Sequence, residues 1–157
     1  MSYNSFEGVH MKKIALFLVL IVLLIGCDLN RDPYTSKSFK DFMESEGWTV
    51  HSISDESNED FESLLVAEKD GVEIQFAVMN SKKIAKSLFK ENKQTFEDYD
   101  SRISSNSDIS IGNYNDYTRT VDDYYFVVSR IDDTLLFAAV DKEDKSIIKD
   151  ITKKLGY

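Results

Sequence analysis

Apolar residues run unbroken from 14 to 25, thin out across 28–37, and then recur with regular spacing to the end of the chain. The spacing beyond residue 37 predicts a folded domain over 38–157. Phe39, Phe42 and Met43 stand at i, i+3 and i+4, one face of a helix, with Ser38 as its cap, Asp41 behind it and Gly47 to stop it. Trp48 and the β-favouring residues 49–53 predict a first strand, and the acidic run 54–60 a loop. Residues 64–69 and 72–79 flank Asp70-Gly71, a pair suited to a type I′ hairpin turn because both of its central positions need positive φ. Val72, Ile74, Phe76 and Val78 alternate with Glu73, Gln75 and Ala77, the mark of a strand with one buried face. A helix capped by Asn80 or Ser81 runs to about residue 99, with Ile84, Ala85, Leu88 and Phe89 inward and lysines outward. A loop over 100–108 follows.

The second half repeats this order. Ile109 and Ile111 mark a strand that ends at Gly112, and 117–121 and 124–131 are β-branched and aromatic. Asp132-Asp133 turns the chain into a strand over 134–140. Ile147, Ile148, Ile151 and Leu155 stripe a helix over 144–155 that Gly156 ends, its acids first and Lys153 and Lys154 last, as the macrodipole favours. Phe76-Ala77-Val78-Met79-Asn80 before one helix echoes Phe137-Ala138-Ala139-Val140-Asp141 before the next, as a duplicated ββα unit would. Hairpins and one-sided strands predict an α+β fold: a single antiparallel sheet of about six or seven strands with three helices mainly on one face.

The unbroken apolar run is a different kind of signal. At about 1.5 Å per residue it extends roughly 18 Å, well short of a ~30 Å hydrocarbon core. Lys12 and Lys13 precede it and Gly26 and Cys27 end it, the order of charge, apolar core and small residue found in a secretory leader. Leu24-Ile25-Gly26-Cys27 resembles the lipobox of bacterial lipoproteins. The resemblance implies cleavage between Gly26 and Cys27 and diacylation of the Cys27 sulfur, with 11–26 as the signal peptide. Each buried methylene contributes about 0.8 kcal/mol and a single acyl chain binds only marginally, so two or three chains make the attachment effectively permanent. Residues 1–10 fit no targeting pattern. Met11 heads a better leader than Met1, and Glu7-Gly8 is what a purine-rich ribosome-binding site encodes, so we expect translation to begin at Met11 and 1–10 to be a mis-assigned extension.

Charge and cysteine content narrow the picture further. The chain carries 19 Lys+Arg against 28 Asp+Glu; without Lys12, Lys13 and Glu7 the mature part holds 17 against 27, a net charge of −10. That balance speaks against nucleic acid and against lying flat on an anionic bilayer, both of which need basic clusters. Cys27 is the only cysteine, so no intrachain disulfide and no thiolate metal set is available. Residues 27–37 read as the lipidated cysteine and a tether, whose span over 28–37 reaches roughly 33 Å at about 3.3 Å per residue.

Catalytic constellations are sparse. A nucleophilic triad needs a histidine beside Ser or Cys, and past the leader only His51 remains, mid-strand between Val50 and Ser52. Zinc needs three or four nitrogen or sulfur ligands, which the mature chain lacks. Asp55, Asn58, Glu59 and Asp60 are hard oxygen donors in one loop but match no calcium-loop spacing. The glycines are too scattered for a phosphate loop. No metal and no cofactor is expected. Carboxylates are plentiful, so a small envelope hydrolase with paired acids is the alternative to a binding module. Tyr114, Tyr117, Tyr124 and Tyr125 crowd the second half, and tyrosines suit binding surfaces. Strand alternation sends Tyr125 one way and Tyr124 the other.

Phe39, Met43, Gly47-Trp48, Val50, Val72-Glu73-Ile74-Gln75-Phe76, Gly112-Asn113-Tyr114, Tyr117-Thr118, the run from Val128 to Thr134 and the terminal Lys154-Leu155-Gly156-Tyr157 together resemble a family of small lipoproteins of Gram-positive bacteria. The resemblance spans nearly the whole mature chain and implies lipidation at Cys27. The family brings no established activity and no further site residue. The sequence thus points to a membrane-anchored, extracytoplasmic binding module held by acyl chains on Cys27. Its expected partner is an envelope protein or glycan, and the four tyrosines are its candidate surface.

Overall fold

The computed structural model describes residues 29–53, 59–99 and 104–157. Gly26, Cys27, the apolar run 14–25 and the loop donors Asp55 and Asn58 lie outside the described residues. Among those described, no helix is long and apolar enough to cross a membrane.

Local chemistry sets the element ends. Helix α1 (Ser36–Ser45) starts earlier than expected, because Thr35 and not Ser38 is its cap. The Ser38 amide donates to Thr35 Oγ1 at 3.1 Å and the Thr35 amide to Ser38 Oγ at 2.8 Å, a reciprocal capping box. A serine hydroxyl serves either position, so the residue type alone did not say which. Gly47, at φ +81°, closes the helix. The Trp48 amide returns to the Met43 carbonyl and the Gly47 amide to that of Glu44, both at 3.0 Å, a Schellman closure.

Strands β1 (Thr49–Ile53), β2 (Phe61–Lys69) and β3 (Val72–Met79) precede helix α2 (Lys82–Glu97). Strands β4 (Ser104–Ile111), β5 (Tyr114–Val121), β6 (Tyr124–Ile131) and β7 (Thr134–Asp141) follow, then a short 3₁₀ turn and helix α3 (Lys145–Leu155). The seven strands form one antiparallel sheet in the order β1-β2-β3-β7-β6-β5-β4. The fold class is the α+β one expected. The β2–β3 turn has Asp70 at φ +52° and Gly71 at φ +84°, as type I′ requires. Asp122 and Asp132 take φ +50° and +52° in the β5–β6 and β6–β7 hairpins, a conformation that Asp tolerates better than most residues.

The helices divide two to one between the faces. Phe39 and Met43 of α1 and Ile148, Ile151 and Leu155 of α3 pack on the face of Ile74, Phe76 and Val127. Ala85, Phe89 and Phe96 of α2 pack on the other, against Ala77, Tyr117 and Val128. Phe39 stacks on Phe76 with ring centroids 4.3 Å apart. Full burial of such a side chain contributes about 1.5–3 kcal/mol. The ββα order does occur twice, but Phe76 lies with α1 and Phe137 with α2. The repetition is therefore one of chain order, with the two following helices on opposite faces.

Two expectations need correction. Strand β4 begins at Ser104, inside the stretch read as loop, and all eight of its residues are exposed. It is held by its main-chain ladder to β5, and a serine-rich edge strand leaves no side-chain signal for that. Nor is the described part of 28–37 a free spacer. The Arg31 amide donates to Asn113 Oδ1 and the Asn113 side-chain amide to the Arg31 carbonyl, each at 2.8 Å. Residues 29–31 are thereby strapped along the β4–β5 turn, where a Cβ on Gly112 would come 2.8 Å from the Leu29 carbonyl oxygen. At the other terminus Tyr157 is a core residue: its hydroxyl pairs with Thr134 Oγ1 and its ring meets Phe76 edge-on.

Candidate functional site

Alternation along β5 sends Tyr114, Asp116, Thr118 and Thr120 to the face that carries α3. The register brings Ile131, Ser129, Val127 and Tyr125 of β6 opposite them. On the other side, Ser105 and Ser107 of β4 pair with Thr120 and Thr118. Helix α3 packs on β7, with its apolar side inward. Its flank, carrying Lys145, Lys149, Thr152 and Lys153, faces the strands across a groove of about 800 Å³. Arg31, Asp32 and Gly156 close one end.

Charge and hydrogen bonding are unevenly placed in this groove. The Arg31 guanidinium lies 3.5 Å from the centroid of the Tyr114 ring and donates to the Gly156 carbonyl. Lys145 Nζ donates to Thr120 Oγ1 at 2.8 Å and sits 4.9 Å over the Tyr125 ring. The Ser129 hydroxyl donates to Asp116 Oδ1. Burial pushes the Asp116 carboxyl above its ordinary value, against the pull of Ser129 and Arg31. Burial likewise pushes the Tyr114 phenol up to about 12, with Asp116 adding to the effect and Arg31 opposing it. The floor is thus a partly dehydrated carboxyl among hydroxyls and tyrosine edges, and the rim is cationic.

The four tyrosines do not share one surface. Tyr114 and Tyr125, 4% and 3% exposed, lie in the groove floor. Tyr117, 1% exposed, is beneath α2 on the opposite face, with the Lys93 ammonium 5.3 Å over its ring. Its hydroxyl has no partner among the described residues. Tyr124, 44% exposed, meets Tyr99 and Phe126 at the outer edge of that same face. The alternation read from the sequence places Tyr124 and Tyr125 on opposite faces, and so it is. His51 is exposed in β1. No group of three His, Cys, Asp or Glu able to hold a metal stands together among the described residues.

Sequence reading missed Asp116, Thr118, Thr120 and the lysines of α3 as a set. The signals were present: alternate polar positions along β5, and lysines at 145, 149 and 153, every fourth residue of a helix. Neither said that the two surfaces would face each other. No protein family, no curated protein and no solved structure matches this chain.

Proposed function

We propose that this chain is a lipid-anchored extracytoplasmic protein whose α+β head is a non-enzymatic binding module. Acyl chains on Cys27 hold it to the membrane, and the groove between α3 and the β4–β6 strands receives an envelope protein or glycan. The observation that supports this best is the strap. Leu29 lies against Gly112 and Arg31 forms part of the groove lining, while Cys27 precedes Leu29 by only two residues, about 7 Å of extended chain. An anchor at Cys27 therefore stands the groove close above the bilayer, where a membrane-attached or wall-attached partner is met.

Metabolic labelling with palmitate tests the anchor: wild type takes the label, whereas Cys27→Ala takes none and accumulates as unprocessed precursor. Unlabelled wild type, or intact protein in the cytosol, overturns the reading. Crosslinking in membranes through a photoreactive residue at position 107 then tests the groove. Asp32 and Asp116 both line it, which is the one observation favouring the paired-acid hydrolase instead. Glycan cleavage by the full chain, lost in Asp116→Asn, would replace binding with hydrolysis as the activity.

A further inference from the structure

The two long walls of the groove differ in chemistry. On the strand side Ser105 faces Thr120 and Ser107 faces Thr118 as directly paired residues, a compact set of four hydroxyls. On the helix side Lys145, Lys149 and Lys153 recur every fourth residue, about 6 Å apart along the axis. Lys145 is engaged by Thr120. Lys149 and Lys153 are exposed, and among the described residues their ammonium groups carry no ion pair, whereas the neighbouring Lys154 holds Glu46 and Asp150. In a chain of net charge −9, a row of unneutralised cations along a cavity attracts an anion. Tyr114 and Tyr125 are too buried to offer a ring face, so the stacking that a nucleobase would use is missing.

We infer that the groove binds a linear polyol phosphate, with successive phosphates along the lysine row and the polyol hydroxyls against Ser105, Ser107, Thr118 and Thr120. This rests on the groove being the binding site of the head. A phosphodiester chain with a short polyol linker repeats its charge at about 7 Å when extended, by ordinary bond lengths, close to the pitch of the lysines. A single lipid headgroup offers one phosphate and engages one lysine. The two groove carboxyls do not oppose such a chain along the helix. Asp116 accepts from the Ser129 hydroxyl and lies within reach of the Arg31 charge, and Asp32 follows Arg31 directly, so Arg31 offsets both.

The test uses the full processed chain in phosphatidylcholine nanodiscs, titrated calorimetrically with a synthetic glycerol phosphate oligomer and with a neutral oligosaccharide of equal length. The oligomer should bind, and K149Q/K153Q should weaken it about tenfold, the worth of two partly screened charge contacts. K86Q/K90Q, which removes two exposed charges from α2, should leave the affinity unchanged. Equal weakening by the α2 pair would mean attraction without a site and overturns the assignment. Displacement of the oligomer when phosphatidylglycerol replaces phosphatidylcholine would give the groove to a lipid headgroup and also overturns it. Binding of the neutral oligosaccharide alone, abolished by Thr118→Trp, would keep the groove as the binding site and end the polyanion assignment. Silence from both probes overturns the polyol phosphate assignment, while the crosslinking through position 107 decides the groove itself.

Discussion

Gly112→Ala tests whether the strap is part of the folded head, and Gly71→Ala supplies its reference. Both glycines have positive φ, +58° and +84°, so each substitution carries the cost of an L residue in that region, about 1–2 kcal/mol. At Gly71 the added methyl meets nothing within 4 Å; at Gly112 it meets the Leu29 carbonyl oxygen at 2.8 Å and carbon at 3.2 Å. Those are backbone atoms, which no rotamer change can move aside, so residues 29–31 must lift. Lifting them loses the two Arg31–Asn113 hydrogen bonds, the donation to Gly156 and the cation–π contact with Tyr114. At an exposed site these contribute about 0.5 kcal/mol each, roughly 2 kcal/mol together. Gly112→Ala should therefore cost about 3–4 kcal/mol against about 1–2 for Gly71→Ala, a gap of roughly 4–8 °C in melting temperature for a domain of this size. Differential scanning calorimetry reads the gap, and tryptic cleavage after Arg31 should quicken in Gly112→Ala alone. Equal melting temperatures and equal cleavage rates would show that the strap holds nothing.

Three more outcomes follow from the same geometry. Arg119 is 8% exposed and donates to the Phe96 and Glu97 carbonyls at the end of α2. Arg119→Met should cost about 2–3 kcal/mol in denaturant unfolding, and a loss under ~0.5 kcal/mol would refute the cap. Tyr117→Phe should be neutral or stabilise by up to about 1 kcal/mol, because a buried hydroxyl without a partner only costs desolvation; a clear loss of stability would mean that the hydroxyl has a partner. Because burial raises the Asp116 carboxyl, the folded state keeps that proton to higher pH than the unfolded chain. Its contribution is full below the ordinary carboxyl value of 3.8 and is lost as pH rises through the folded value. Asp116→Asn should therefore gain stability relative to wild type across that rise, read from denaturant midpoints, and a difference that does not vary with pH would refute it.

Much of the architecture was legible because its causes are local. Asp70-Gly71, Gly47 and Gly156 act through φ and through hydrogen bonds that close within a few residues. The alternation of Val72, Ile74 and Phe76, or of Tyr124 and Tyr125, is a property of one strand. Such features survive reading one residue after another, and they determined the hairpins, two of the helix stops and the fold class. Strand β4 escaped because serine and asparagine pair through their main chains and bury nothing.

The groove was decided elsewhere. Nothing within β5 records that β3 would pair with β7, which puts the two halves of the chain edge to edge in one sheet and lets α3 lie over β7 with its lysine flank toward β5. Nothing in residues 28–37 says that Arg31 would find Asn113 and Gly156, residues distant in the chain. These are choices among long-range contacts, and each depends on the burial of the whole apolar set at once. The periodicity determined which side chains share a face; only the packing of helices on that sheet decided which faces meet, and so which of the polar residues stand together.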